Sequence, residues 1–134
     1  MYKIQKEIHF CYGHRLQSHP GKCKHIHGHN VRAIITLASE KLNDAGMVAD
    51  FAEIDQYVKP WINDNLDHNF LIERTDPLVP TLEKAGERFF PMDCPPTAEN
   101  IAALIYDQVK TSPLPIESVI LWESFTAAAH YCPS

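Results

Sequence analysis

No apolar run in this chain is long enough to cross a membrane, and the longest mostly apolar stretch, around Ile34 to Ala38, is far too short. The first residues, Met-Tyr-Lys-Ile-Gln-Lys, lack the apolar centre of a signal peptide, so a soluble, cytoplasmic protein is expected. Positive charge is not in excess either: 12 Lys and Arg stand against 17 Asp and Glu, for a net charge of -5. That balance argues against a nucleic-acid surface, whose affinity rests on clustered cations. A small phosphorylated ligand held by a few local cations remains compatible with it. Repeats, low-complexity tracts and dividing linkers are absent, and residues 1–134 read as one domain. No nucleotide-cofactor motif is visible. Four cysteines (Cys11, Cys23, Cys94, Cys132) would permit two disulfides, but a cytosolic chain that is 45% hydrophobic can build a core without them. Free thiols are the expectation.

Against these absences stands one dense heptapeptide, Cys23-Lys-His-Ile-His-Gly-His29. Side chains two apart in an extended segment point the same way, so His27 and His29 project from one strand face. Two imidazoles on one face are half of a zinc site. Structural zinc fingers gather four ligands from paired clusters, and no second cluster exists here. A catalytic site needs three protein ligands and an open position, and His14 would complete it if the first two strands pair as a hairpin. His25 is a rival ligand, and His9, His19, His25 and His130 read as surface residues. Cys23 could close the site, sit inert, or act as a thiolate base.

Alternation over residues 2 to 11 predicts a strand with Ile4, Ile8 and Phe10 on one face, and His14 on the same parity just beyond. The run from His27 to Ala38 predicts a second strand, on which Val31, Ala33, Ile35 and Leu37 share the face of His27 and His29. Asp50 and Glu53 have the form of a capping box, and Phe51, Ile54, Val58, Trp61 and Leu66 follow at helical spacing. Pro60 should kink or divide that helix. Thr97 is a suitable N-cap for a second helix with Ile101, Leu104, Ile105 and Val109 facing inward. Thr75 to Pro96 is the least legible stretch. Residues 116 to 124 form the clearest late strand, with a short one near Ala127 to Tyr131. The expected class is α+β, with a four-stranded antiparallel sheet carrying two main helices on one face.

Two further features bear on chemistry. Asp67 could orient the imidazole of His68 at a helix end, although a charged helix terminus would suffice to explain the pair. Glu123 shares the parity of Val119 and Leu121, which sets a carboxylate on an otherwise apolar face, unless it lies at an exposed strand end. A ligand with an amide N–H and an amino group would match such a carboxylate.

Phe10-Cys-Tyr-Gly-His-Arg-Leu16, Cys23-x-x-x-His27-Gly28-His29-Asn30, Leu66-Asp67-His68, Pro96-Thr97-Ala98-Glu99-Asn100 and Trp122-Glu123-Ser124, taken in order, resemble the 6-pyruvoyltetrahydropterin synthase family over nearly the whole chain. The gap between Cys23 and His27 is similar to that of its 6-carboxytetrahydropterin synthase branch, which serves queuosine and 7-deazapurine biosynthesis. The resemblance implies a tunnelling fold (T-fold) in which sheets of several subunits join into a barrel, commonly a homohexamer. It implies zinc on His14, His27 and His29, proton transfer by Cys23, Asp67 and His68, and a pterin ring anchored by Glu123 with help from Thr97. The implied substrate is 7,8-dihydroneopterin triphosphate, and the site is expected at a subunit interface. The pyruvoyl branch would eliminate triphosphate without cleaving carbon from carbon. A zinc hydrolase and a non-catalytic pterin-binding protein are the more distant alternatives. Tyr12-Gly13 before His14, and Phe125 after Glu123-Ser124, depart from the family pattern, where small residues and Pro are usual.

Overall fold

The computed structural model describes residues 1–134. Its frame is a hairpin of two long strands, β1 (Tyr2–His14) and β2 (His27–Ser39). They pair antiparallel in unbroken register from Tyr2 opposite Ser39 to His14 opposite His27. Ile8, Phe10 and Tyr12 on β1 face Ala33, Val31 and His29 on β2, so the apolar parity of each strand falls on one side of the sheet. On the other side Lys3, Gln5, Glu7 and His9 meet solvent. Strand β1 runs on to His14, past the expected end at residue 11, which brings that histidine into the sheet.

Helix α1 (Phe51–Asn65) begins at the anticipated capping box, in which the Asp50 carboxylate accepts from Ala52 N at 2.9 Å and Glu53 reaches back to the Asp50 amide at 3.2 Å. The helix is not divided at Pro60: it continues for another turn, with Pro60 exposed on its outer side. Ile54, Val58 and Ile62 are buried, whereas Phe51, expected inward, is 52% exposed. Helix α3 (Ala98–Lys110) is capped by Thr97, whose Oγ1 accepts from Asn100 N at 3.2 Å, and buries Ile101, Ala102, Ile105, Tyr106 and Val109. Both helices pack on the apolar face, in one core cluster of 23 buried residues. Removing a large side chain from it, as in Ile105→Ala, costs about 2–5 kcal/mol.

The expected four-stranded antiparallel sheet is corrected to a six-stranded mixed one, in the order β4-β3-β1-β2-β5-β6. β5 (Ile116–Trp122) and β6 (Ala128–Tyr131) extend the antiparallel side, close to where alternation put them. The additions are β3 (Asn69–Glu73) and β4 (Phe90–Met92), which join in parallel beyond β1, together with a third helix, α2 (Val79–Ala85). All lie in or beside the stretch that had no clear periodicity. Strands this short show too few alternations to read, and Pro91 is tolerated in β4 because β4 is an edge strand. Helix α2 stops at Gly86, whose φ of 72° is open to glycine at little steric cost. The cysteines are free thiols, as expected.

Candidate active site

The hairpin register builds the first cluster. His14 lies directly opposite His27, and His29 opposite Tyr12, so the three imidazoles converge at one end of the helix-facing side. Ring centroids stand 4.5 Å apart for His14 and His27, 5.1 Å for His14 and His29, and 5.0 Å for His27 and His29. Between them the sheet is thin: Gly28 faces Gly13, and a β-carbon on Gly28 would come within 3.1 Å of the Tyr12 carbonyl.

Backbone carbonyls orient two of the rings. His14 Nδ1 donates to the Pro96 carbonyl at 2.7 Å and His27 Nδ1 to the His25 carbonyl at 2.7 Å, which leaves Nε2 of each with its lone pair. Nε2 of His14 and of His29 is buried without a hydrogen-bond partner. Buried, orphaned acceptors at the centre of a histidine cluster are what a metal would satisfy. Burial lowers the pKa of His14, with the Pro96 carbonyl and Glu123 opposing, and burial likewise lowers that of His29. Both therefore favour the neutral form that ligates metals. The ligand atoms of all three lie within 4.8 Å of one another, and the residues fit a divalent ion such as zinc.

Glu123, one residue beyond β5, borders this cluster. Tyr12 Oη donates to its Oε2 at 2.8 Å, and Oε1 stands 3.5 Å from His29 Nε2 without a hydrogen bond. The carboxylate on the apolar face thus has partners within the chain, which sequence reasoning had sought in a ligand. Tyr12 is held protonated, its pKa raised by burial and by the Glu123 charge and hydrogen bond.

A second grouping forms where α1 runs into β3. His68 has φ of 55°, a left-handed backbone uncommon outside glycine, and its amide donates to the Cys11 carbonyl at 2.8 Å. Asp67 accepts from the Cys11 amide at 3.0 Å through Oδ1, and Oδ2 lies 2.9 Å from His68 Nδ1. Burial would raise the Asp67 pKa, but the Cys11 amide and His68 outweigh it and hold the carboxyl below its usual range. The pair is therefore a formed Asp–His dyad rather than only a charged helix end. Its neighbour Cys11, which had no assignable role from the sequence, supplies both amide and thiol to the group. Arg88 donates to the Asp67 carbonyl at 2.9 Å.

These two groupings do not share a face. Cys11 has the opposite strand parity to Tyr12 and His14, so the thiol beside the dyad lies across the sheet from the imidazoles. Cys23 joins neither cluster. It sits half-buried in a short 3₁₀ turn (Lys22–Lys24), where its carbonyl accepts from Leu16 N at 2.8 Å and closes the neck of the β1–β2 loop. The same loop is pinned at its start by Arg15, which pairs through two nitrogens with Asp76, a carboxylate that is 2% exposed as a residue. The Arg15 guanidinium holds Asp76 below the usual carboxylate range, against the effect of burial. Neither Arg15 nor Asp76 carried a sequence signal, being 61 positions apart. Thr97 follows the Pro96 that holds His14 and is already used as a helix cap. His9, His19, His25 and His130 are exposed, as anticipated.

The model of the family described as 6-pyruvoyl tetrahydropterin synthase matches residues 3–134. The chain belongs to this family. Among relatives, a 6-carboxy-5,6,7,8-tetrahydropterin synthase of Haemophilus influenzae is 32% identical over 98% of this chain and 99% of its own length. One of the same name from Rickettsia typhi is 37% identical, covering 81% of this chain and 80% of that one. The solved structure of an uncharacterized Wolinella succinogenes protein superposes with a TM-score of 0.82 at 29% identity, covering 99% of this chain and 98% of the other. The 6-pyruvoyl tetrahydropterin synthase of Caenorhabditis elegans gives 0.74 at 22% identity, over 99% and 96%. The synthase family thus accounts for the fold, including the mixed sheet, and makes the chain one of the pterin synthases.

Proposed function

We propose that this chain converts 7,8-dihydroneopterin triphosphate to 6-carboxy-5,6,7,8-tetrahydropterin, releasing triphosphate and acetaldehyde, in queuosine and 7-deazapurine biosynthesis. The observation that carries the reading is the His14–His27–His29 cluster, with the Nε2 atoms of His14 and His29 buried and orphaned beside Glu123. The names of the relatives, 32% and 37% identical over most of the chain, support the carboxy branch over the pyruvoyl one.

His14, His27 and His29 would hold zinc, which when bound supplies a Lewis acid to the oxygens of the substrate side chain. Glu123, at the edge of the cluster, would accept the ring amide N–H and amino group of the pterin. Tyr12, donating to Oε2, keeps that carboxylate oriented. Cys23 as thiolate would take a proton from the side-chain carbon, and His68, oriented by Asp67, would relay or donate one. Thr97 would help hold the pterin, and Lys22 and Lys24 beside Cys23 are candidates for the triphosphate. Triphosphate leaves by elimination, carbon–carbon cleavage with uptake of one water releases acetaldehyde and leaves the carboxylate, and the reducing equivalents move within the substrate, so no nicotinamide is required.

The separation of the Asp67–His68 dyad from the imidazoles across β1 supports a site completed by a second subunit. In that reading the dyad of one chain serves the histidines and Cys23 of another, within a cytoplasmic homohexamer whose joined sheets form a barrel and whose edges are thereby paired. The reading names no nucleic-acid or membrane partner.

The test is incubation of the zinc-loaded protein with dihydroneopterin triphosphate and identification of products by mass spectrometry. Carboxytetrahydropterin with acetaldehyde is expected. Pyruvoyltetrahydropterin would move the chain to the other branch, and absence of turnover would sink the synthase reading in favour of a pterin-binding protein. Turnover that survives Cys23→Ala would favour a zinc hydrolase.

A further inference from the structure

The chain has four arginines, and three of them are paired with carboxylates: Arg15 with Asp76, Arg32 with Glu7 and Arg74 with Asp93. Arg88 is the exception. It is exposed, forms no ion pair even with its neighbour Glu87, and makes one hydrogen bond, from Nη2 to the Asp67 carbonyl at 2.9 Å. We propose that Arg88 binds the triphosphate of a substrate whose reacting carbons lie at another chain's histidine cluster, a role that rests on the function and the shared site proposed above.

Placement is the first argument. Asp67 belongs to the dyad, so the bond that holds Arg88 ties its guanidinium to the group offered to the other chain. A substrate side chain whose carbons reach that dyad carries its phosphates within the same neighbourhood. Free donors are the second argument. With Nη2 on a carbonyl, Nε and Nη1 keep unbonded N–H groups, and a planar, permanently charged guanidinium suits phosphate oxygens. Space is the third. Arg88 lines a groove of about 490 Å³ with Asn30 and His68, beside Gly13 and Gly28, which put no side chain into it. His68 Nδ1 faces Asp67, which leaves Nε2 as a further donor when the ring is protonated.

Charge completes the case. At a net charge of -5 the chain as a whole repels a polyanion, so a local cation without a carboxylate partner is needed to hold one. Glu87 lines the same groove and opposes it. During elimination the carbon–oxygen bond breaks with its electron pair leaving on the triphosphate, while the proton of the adjoining carbon goes to Cys23. Arg88 then stabilises the negative charge on the departing oxygens.

Calorimetric titration of the zinc-loaded, assembled protein with inorganic triphosphate tests the role, with zinc content matched between variants by elemental analysis. Expected is binding that Arg88→Ala weakens about 10–100-fold, as loss of a hydrogen bond to a charged group does. Arg88→Lys should regain part of that loss, and Glu87→Gln should bind more tightly than the unaltered chain. Dihydroneopterin, which lacks the phosphates, should bind all four proteins alike. No triphosphate binding by the unaltered chain, or equal affinity in Arg88→Ala, overturns the role. So does a matching fall for dihydroneopterin, which would make Arg88 only a prop for the Asp67 segment. Product formation separates this from the function itself. Arg88-dependent triphosphate binding without any turnover sinks the synthase reading and keeps Arg88 as an anion-binding residue, and turnover with Arg88-independent binding does the reverse.

Discussion

The two faces of β1 carry chemistry of different construction. On the helix side, His14, His27 and His29 are set by the register of one hairpin, backed by buried Tyr12 and by carbonyls of neighbouring segments. Across the strand, Cys11, Asp67 and His68 meet where a helix ends, with a strained backbone at His68 and a ring mostly in solvent. The inner cluster is finished within one chain; the outer dyad has its catalytic use, in the proposed reading, in another. A strand that alternates its side chains can serve two sites at once, and a symmetric assembly then brings the opposite faces of different copies together.

That contrast can be broken most directly at the inner cluster. His27→Ala should lower zinc affinity by more than about 100-fold, since even outer-shell partners of ligands are worth about 10–100-fold. Elemental analysis after dialysis checks it, and the fold should persist by circular dichroism. Next in size, Cys23→Ala should reduce turnover about 10²–10⁴-fold with zinc retained, the range for a positioned proton-transfer group. Loss of zinc in that variant would make Cys23 a ligand. Mixing this variant with Asp67→Asn sharpens the comparison further: hetero-oligomers with sites built from the two intact faces should regain turnover, whereas a site closed within one chain would leave the mixture inactive.

Stability effects are smaller. Asp76→Ala leaves Arg15 without its partner and Leu78 N without its 2.8 Å acceptor, and should cost about 2–3 kcal/mol in urea melts, with greater protease sensitivity in the β1–β2 loop. The pH dependence follows from the shifts. His14 and His29 titrate lower in the folded chain than the ordinary 6.5, so the unfolded chain binds more protons and metal-free stability should fall as pH drops below about 6.5. Asp67 and Asp76 titrate below the ordinary 3.8, so their contribution is intact above that value and is lost as pH falls further, through their folded pKa values. Thermal melts of the metal-free protein across this range check both windows. A flat profile between pH 7 and 5 would mean the imidazoles are not desolvated. Smallest of all, Thr97→Ala should cost about 1 kcal/mol as a lost cap; a fall in pterin affinity beyond that would give Thr97 a second task.

The hairpin and its histidines were legible because their geometry is local. A period of two along residues 27–38 assigns His27 and His29 to the apolar face, and the same period on β1 adds His14. Capping chemistry likewise announced α1 and α3. The middle of the chain was not legible. β3 and β4 are five and three residues long, and the parallel pairing that stabilises them is made with strands remote in sequence. Pro60 does not divide the helix, because one missing amide bond on the solvent side of an otherwise well-packed helix is outweighed by the burial of Ile54, Val58 and Ile62 around it.

The sequence by itself determined which residue types could bind metal and on which strand parity they stand, since alternation is a property of each strand alone. Tertiary structure decided the rest: that Pro96, 82 positions away, orients His14, that Tyr12 holds Glu123, that Arg15 finds Asp76, and that Cys11 rather than Cys23 stands beside Asp67 and His68. These partners are chosen by close packing of segments far apart in the chain, where satisfying each buried polar group fixes its neighbour, and no local pattern records that choice.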